Sequence, residues 1–171
     1  MRHLLLSLSF WMMLALAARA QSAQPGWPQV PFETTFTLQS NPKLGFGLKD
    51  YLLFALPTNA GGALKFKVVP GLANPKYVSF ESVGSPGLFL RHQECQMKLN
   101  PEEGHDGYFL NDATFIPVMS RKTPGGWMFR ALFPYWLWIS VTRDNAIFVA
   151  PNPRFEDSTF VLSAAQSAPS H

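Results

Sequence analysis

The chain has 171 residues, of which 14 are Lys or Arg and 11 are Asp or Glu. These charges are scattered, and there is no basic block of the kind that binds a polyanion, so the composition argues against a nucleic-acid partner. A chain of this length with 47% hydrophobic residues is expected to form one domain around a sizeable core.

The first 20 residues have the features of a secretory signal peptide. Arg2 and His3 provide a positive start, residues 4–18 are apolar, and Ala18-Arg19-Ala20 has small residues at both ends of a cleavage motif. We therefore expect a secreted, extracellular protein with no membrane segment after cleavage; an uncleaved signal anchor is the alternative. Cleavage removes two basic residues and no acidic one, which leaves the remaining chain close to neutral.

The segments that flank the predicted domain have a different composition. Residues 21–33 are rich in Pro and lack periodicity, which predicts a linker or an extended arm. Residues 164–171 are small and polar with nothing to bury, and we expect them to be disordered. The folded domain is predicted over 34–163. It has no helical periodicity of useful length, which indicates an all-β fold.

Phenylalanine recurs at regular intervals through this domain. Three similar segments are opened by Phe36, Phe80 and Phe129 and closed by Phe66, Phe115 and Phe160. The openings are 44 and 49 residues apart and the closings 49 and 45, a period typical of internal repeats. Three four-strand units, about 34–70, 76–119 and 126–163, must then share one core, because none can bury its apolar face alone. We predict a β-trefoil with three pseudo-repeats of four strands, and burial of the six phenylalanines near one pseudo-threefold axis.

The middle unit has the clearest strand pattern. Alternating apolar residues, turn residues at 84–87 and short apolar runs predict four strands, at 78–82, 88–90, 97–99 and 113–116. A polar loop is predicted at 100–107. His92 follows the second strand and Asp112 precedes the fourth, so the two side chains are predicted to lie at the ends of two strands of one small unit.

Three motifs of this unit carry a family resemblance. They are Val78-Ser79-Phe80-Glu81-Ser82, Pro86-Gly87-x-x-Leu90-Arg91-His92 and Asp112-Ala113-Thr114-Phe115. Together they resemble the AbfB domain, the arabinose-binding β-trefoil (carbohydrate-binding module family 42) that lies beside the catalytic domain of α-L-arabinofuranosidases. The resemblance is strong over 77–118 and weaker but in register over 34–163. It implies that each unit can form a shallow pocket for one terminal arabinofuranose, built on the His and the Asp of these motifs.

The resemblance implies one complete pocket, in the middle unit. In the first unit Leu48 and Ala63 stand at the two positions, so neither hydrogen-bonding group is present. In the third unit Asp157 matches the aspartate, but Ser140 stands where the histidine does, which implies a degenerate third pocket. This departure from the family pattern leaves multivalent binding and arabinose specificity open.

The side chains of His92 and Asp112 are also chemically suited to sugar binding. The Asp112 carboxylate can accept hydrogen bonds from two neighbouring hydroxyls, and the His92 imidazole adds a donor or an acceptor. Tyr108 and Phe109 are the nearest aromatic candidates to cover the C–H face of a sugar. The alternative is that Asp112 only caps a turn and that His92 is an ordinary strand-end residue.

Metal binding and hydrolysis are less well supported. The side chains considered for a metal site are His92, Glu94, Cys95, His105 and Asp106; their spacing matches no common zinc pattern, so we predict no metal and no cofactor. Glycosidase chemistry needs two opposed carboxylates, and the acidic residues here give no specific signal for such a pair. In the resembling enzymes the catalytic carboxylates belong to a separate, larger domain, so we do not expect hydrolysis.

The stretch Leu132–Val141 is strongly hydrophobic but too short to span a bilayer. As one strand it would place Tyr135, Leu137 and Ile139 on one face and Trp136 and Trp138 on the other. Either one face is core and the other packs under a loop, or the Trp face is exposed and contacts a partner or a polysaccharide.

Cys95 is the single cysteine, which excludes an intramolecular disulfide. We expect a free thiol that is buried and poorly accessible, because cysteine behaves as a small apolar residue. An exposed thiol that pairs between chains is the alternative.

The predicted function is recognition of an arabinofuranose-type sugar by a secreted, monomeric binding module. A competing prediction is a secreted β-trefoil whose pocket has decayed and that binds an unidentified protein, motivated by the loss of two pockets. A third, carried by the family resemblance, is a protein associated with an α-L-arabinofuranosidase in L-arabinose metabolism.

Overall fold

The computed structural model describes residues 25–102 and 106–163. The predicted signal peptide and the predicted disordered tail lie outside the described residues, as does His105.

The described residues form strands with little helix. The strands are β1 (Phe32–Leu38), β2 (Leu44–Lys49), β3 (Leu52–Pro57), β4 (Lys65–Pro70), β5 (Val78–Ser82), β6 (Leu88–Gln93), β7 (Gln96–Pro101), β8 (Phe115–Met119), β9 (Gly126–Ala131), β10 (Leu137–Val141), β11 (Ile147–Pro151) and β12 (Phe160–Leu162). The helical segments are a 3₁₀ turn (Thr58–Ala60), α1 (Gly107–Asp112) and α2 (Phe155–Ser158). The prediction of an all-β fold is confirmed.

The strands pair in antiparallel fashion and close on themselves. Six of them form a ring through the pairings β1–β4, β4–β5, β5–β8, β8–β9, β9–β12 and β12–β1. The others form the hairpins β2–β3, β6–β7 and β10–β11. The hairpins contact one another, because β7 pairs with β3 and β11 and a bridge joins Phe54 to Ala146. Ring closure satisfies backbone groups that an open sheet edge would leave unpaired.

Three phenylalanines meet at the centre of the core. Phe36, Phe80 and Phe129 are each 1% exposed. Their ring centroids lie 5.2 Å (Phe36–Phe80), 5.3 Å (Phe80–Phe129) and 5.5 Å (Phe36–Phe129) apart, with edge-to-face geometry. The three closing phenylalanines are 0% exposed: Phe66, Phe115 and Phe160. The predicted burial of all six is confirmed, and each buried ring contributes about 1.5–3 kcal/mol relative to an exposed one.

Part of the Pro-rich segment is an arm that packs on the barrel. Trp27 is 7% exposed, and its ring centroid lies 4.7 Å from that of Trp127 and 5.6 Å from that of Phe32. Regular structure begins with Phe32, ahead of the predicted domain start at residue 34.

The predicted end of the polar loop at residue 107 and the predicted strand start at residue 113 are wrong, because a short helix lies between them. Residues 107–112 form α1, and β8 begins at Phe115 because Ala113 caps the helix, donating its N–H to the Phe109 carbonyl at 2.9 Å. The Asp106 carboxylate caps the other end by accepting from Tyr108 N at 3.1 Å. A helix of six residues is too short to produce a hydrophobic period in the sequence.

The predicted strand over 132–141 is wrong for its first half. β10 begins at Leu137, and the Leu137 N–H donates to the Pro134 carbonyl at 3.1 Å across a turn. Pro134 has no N–H for a strand ladder, which favours the turn. Tyr135, at 63% exposed, therefore does not share the buried face of Leu137 and Ile139.

The two tryptophans of this stretch have different environments. Trp136 is 52% exposed, in agreement with the exposed alternative. Trp138 is half-buried, and the Arg130 guanidinium lies 5.7 Å from its ring centroid.

The prediction that Cys95 is buried is wrong. Cys95 is a free, exposed cysteine in the turn between β6 and β7. Glu94 and Cys95 have φ values of 53° and 66°, as the central residues of a two-residue hairpin turn require. The position in the turn places the thiol outside the barrel, although cysteine is a residue type that is often buried.

Candidate functional site

The candidate site forms where α1 lies against β6. His92 is on the inward face of β6 and is buried, while Arg91, its neighbour, is directed to the other face as strand alternation requires. Asp112 is the last residue of α1. The helix brings the carboxylate to both side chains, so the two residues predicted from the sequence do come together.

Asp112 is held mainly by Arg91. Arg91 Nη2 donates to Asp112 Oδ2 at 2.9 Å, and the two side chains are 15% and 19% exposed. Asp112 Oδ1 lies 3.7 Å from His92 Nε2, beyond hydrogen-bond distance. Arg91 was not predicted as a site residue, although it lies within the motif that pointed to His92.

His92 connects the site to the neighbouring β9–β10 connection. Its Nε2 lies 2.9 Å from the Phe133 carbonyl oxygen. A carbonyl can only accept, so Nε2 carries the hydrogen and donates it. Burial lowers the pKa of His92, opposed by the Asp112 carboxylate and the Phe133 hydrogen bond. Burial therefore favours the neutral ring, and Nε2 is committed to a structural hydrogen bond.

A pocket of about 290 Å³ opens beside Arg91, and neither His92 nor Asp112 is among the described residues that line it. It is lined by Arg91, Gln93, Asn100, Pro101, Asp106 and Phe109. The Arg91 guanidinium carbon lies 5.0 Å from the Phe109 ring centroid, which helps to orient the side chain. Arg91 Nε and Asn100 Oδ1 are buried without a hydrogen-bond partner among the described residues. Gln93 lies two residues after Arg91 on β6 and so shares its face, whereas Asn100 comes near because β7 pairs with β6, with Asn100 opposite Phe89.

The predicted aromatic residues lie in two different environments. Phe109 is 3% exposed and lines the pocket. Tyr108 is 78% exposed, in the first turn of α1, and is not among the lining residues.

The third unit has a different arrangement at the matching place. Asp157 Oδ2 accepts from Arg154 Nε at 2.8 Å, and Arg154 is 63% exposed, so this pair is largely open to solvent. Ser140 Oγ donates to the backbone carbonyl of Asp157 at 3.3 Å. No imidazole is present among these side chains.

Strand pairing corrects the position assigned to Ser140. Arg130 pairs with Trp138 in the way that Glu81 pairs with Phe89. Counted from these pairs, Val141 lies at the place of His92, and Ser140 lies at the place of Arg91. The pairing of Val141 with Ile147 and of His92 with Met97 agrees, since both partners are buried.

The described residues contain no cluster of three or more His, Cys, Asp or Glu side chains that could hold a metal ion. Glu94 and Cys95 lie in the exposed hairpin turn, away from the inward face that carries His92.

Comparison with known proteins assigns the family. The sequence pattern of the Alpha-L-arabinofuranosidase B (ABFB) domain matches residues 55–164. The chain belongs to this family. The resemblance to the AbfB domain inferred from the motifs of the middle unit is thereby confirmed.

The curated relatives of this AbfB domain are much longer proteins. Alpha-L-arabinofuranosidase B of Aspergillus kawachii is 48% identical over 58 residues, which are 34% of this chain and 11% of the relative. Alpha-L-arabinofuranosidase B of Emericella nidulans is 37% identical over 76 residues, 44% of this chain and 14% of the relative. The chain thus matches a small part of each enzyme.

Solved structures show the same fold at low identity. An α-L-arabinofuranosidase soaked with a cyclic sulfate inhibitor superposes with a TM-score of 0.70 and 21% identity, over 82% of this chain and 32% of the other. An arabinofuranosidase complexed with arabinofuranosyl-α-1,2-xylobiose gives 0.69 and 22%, over 81% and 32%. The BEL β-trefoil gives 0.63 and 11%, over 81% of this chain and 97% of that protein.

Proposed function

We propose that this chain is a carbohydrate-binding module that holds one arabinofuranose-type sugar beside Asp112. The observation that carries the proposal is the Asp112 carboxylate, which is 19% exposed and is held by Arg91, a residue that also lines a pocket. The names of the relatives, which are arabinofuranosidases, favour this sugar class.

The fold part of the proposal is a β-trefoil of three four-strand units. It is supported by the ring of six strands, the three mutually contacting hairpins and the triangle of Phe36, Phe80 and Phe129. Likeness to the BEL β-trefoil supports it further. In this arrangement only the middle unit pairs an imidazole with a carboxylate, because Leu48 and Val141 stand at the two places that match His92.

Each side chain of the site has a distinct role in the proposal. Asp112 accepts hydrogen bonds from two sugar hydroxyls through lone pairs that Arg91 leaves free. Arg91, Gln93 and Asn100 provide polar groups in the lining of the pocket. His92 keeps the Phe133 carbonyl in place rather than supplying Nε2 to the ligand. Tyr108 is proposed to cover the C–H face of the sugar from the first turn of α1.

Place of action and assembly are part of the proposal. We propose a monomer that acts outside the cell, in keeping with the leader-like residues 1–20. Among the described residues, no helix has the length and apolar character needed to cross a bilayer.

Two other functions have some support. Binding of an unidentified protein is favoured by three exposed aromatic side chains near the site: Phe133, Tyr135 and Trp136. Asp157, with its exposed Arg154 partner, would then be the remnant of a sugar pocket. Association with an α-L-arabinofuranosidase in L-arabinose metabolism is favoured by the family; the catalytic step itself is assigned to no residue of this chain.

Calorimetric titration with arabinofuranosyl oligosaccharides tests the proposal. Wild type should bind with a stoichiometry of one. Asp112→Ala should weaken binding by about tenfold or more, because hydrogen bonds to a charged acceptor contribute about 1.5–3 kcal/mol each. Asp157→Ala is the matched control, since it also removes the partner of an arginine, and it should leave affinity unchanged. No binding at millimolar ligand, or equal loss in both variants, would contradict the proposal.

A further inference from the structure

The connection between β9 and β10 exposes three aromatic side chains within four residues. Phe133, Tyr135 and Trp136 are 57%, 63% and 52% exposed. We call residues 132–136 the aromatic loop. Tyr and Trp rings bury large areas on contact and leave a polar group for solvent or ligand, so a group of exposed rings marks a binding surface more than a random patch does.

Three hydrogen bonds and one ring contact restrain the aromatic loop. His92 Nε2 donates to the Phe133 carbonyl at 2.9 Å. Leu132 N donates to the Thr114 carbonyl at 3.0 Å, and Leu137 N donates to the Pro134 carbonyl at 3.1 Å. The rings of Tyr135 and Trp136 pack edge to face with centroids 5.3 Å apart. These contacts restrain the backbone of the loop and the rings of Tyr135 and Trp136 before a ligand arrives, which lowers the entropic cost of binding.

The backbone of the aromatic loop approaches Asp112 through His92. His92 Nε2 contacts the Phe133 carbonyl and lies 3.7 Å from Asp112 Oδ1. Trp136 follows Phe133 by three residues, so their Cα atoms are at most about 11 Å apart. A short stretch of linked sugars covers such a distance.

The absence of charged residues in the aromatic loop favours an uncharged polymer as its ligand. Its sequence, Leu132-Phe133-Pro134-Tyr135-Trp136, contains no charged residue. An uncharged surface of aromatic rings suits the C–H faces of neutral sugars and gives no attraction to an acidic or basic chain.

We propose that the aromatic loop is a second binding surface, on which the main chain of a neutral polysaccharide lies while a side-branch arabinofuranose occupies the pocket beside Asp112. This inference rests on the proposed function. The affinity of the protein for the polymer should therefore exceed its affinity for the isolated branch sugar, because two contacts are made in one binding event.

The test compares two ligands and three proteins. The ligands are a short arabinofuranosyl oligosaccharide, measured by calorimetry, and a soluble xylan with arabinofuranosyl branches, measured by affinity electrophoresis. The proteins are wild type, the double variant Tyr135→Ala/Trp136→Ala, and Tyr51→Asn. Tyr51 is 81% exposed in a different hairpin turn, and its φ of 65° is one that Asn accepts, so this control removes an exposed ring elsewhere without strain.

The double variant should bind the oligosaccharide as wild type does and should bind the polysaccharide about tenfold or more weakly, as expected for two lost aromatic contacts. Tyr51→Asn should match wild type with both ligands. Equal polysaccharide affinity in the double variant and wild type overturns the inference and leaves the proposed function standing. Loss of oligosaccharide binding in the double variant also overturns it, since the loop is then part of the pocket. Failure of wild type to bind either ligand refutes the proposed function itself.

Discussion

Arg91 and Asp112 form a partly buried ion pair that joins β6 to the last residue of α1, with Nη2 and Oδ2 2.9 Å apart. The pair has a counterpart in Arg154 and Asp157, at 2.8 Å, where the arginine is 63% exposed. The chain thus contains one partly buried and one largely exposed Arg–Asp ion pair, and their contributions to stability can be compared directly.

Arg91→Ala should lower the free energy of unfolding by about 2–4 kcal/mol, because it leaves the Asp112 carboxylate partly buried and unpaired. Arg154→Ala should cost less than about 1 kcal/mol, as is usual for exposed pairs. Urea denaturation of both variants measures the difference. Similar losses in the two variants would show that burial of the Arg91–Asp112 pair has little energetic effect.

The stability of the protein should decrease as the solution is made mildly acidic. Burial lowers the pKa of His92 below its usual value of 6.5, so the unfolded chain binds a proton at a higher pH than the folded one. The stabilising difference is complete above the unfolded pKa and is lost as the pH falls below it, by at most about 1.4 kcal/mol per pH unit. Thermal or urea unfolding at pH 7.5 and pH 5.5 tests this dependence. His92→Gln, which keeps a donor for the Phe133 carbonyl, should reduce the pH effect; an unchanged pH effect would assign it to other groups.

Phe129→Ala should destabilise the fold by about 3–5 kcal/mol, because it removes one member of the central triangle and leaves a cavity against Phe36 and Phe80. Phe133→Ala is the control with the same chemical change at a residue that is 57% exposed, and its cost should stay within about 0.5 kcal/mol. Denaturant midpoints report both. A small loss in Phe129→Ala would mean that the core collapses around the missing ring.

The thiol of Cys95 should react quickly with a labelling reagent in the folded protein, because it is exposed in a hairpin turn. The rate should differ little between native and denaturing conditions, and Cys95→Ser should give no signal. Slow native labelling that accelerates on unfolding would contradict the exposed position.

Much of the fold could be predicted from residue spacing. The recurring phenylalanines predicted their own burial, since an apolar ring that returns at the same point of each strand pattern must face the interior. The motifs around His92 and Asp112 were sufficient to identify the family. The short α1 escaped prediction because six residues cannot display a period.

Only the tertiary structure revealed the hydrogen-bond partners and the burial of the side chains at the candidate site. The sequence predicted that His92 and Asp112 lie in one unit. In the structure, however, Asp112 is paired with Arg91, and His92 Nε2 donates to the Phe133 carbonyl, 41 residues away. The sequence alone also misplaced Cys95 and Tyr135, because hydropathy does not distinguish a turn from the strand that follows it. Burial, unused hydrogen-bonding groups and the exposure of the aromatic loop depend on contacts between distant segments. Chain order determines which residues alternate along a strand, whereas packing of the three hairpins on the closed ring decides which of them meet.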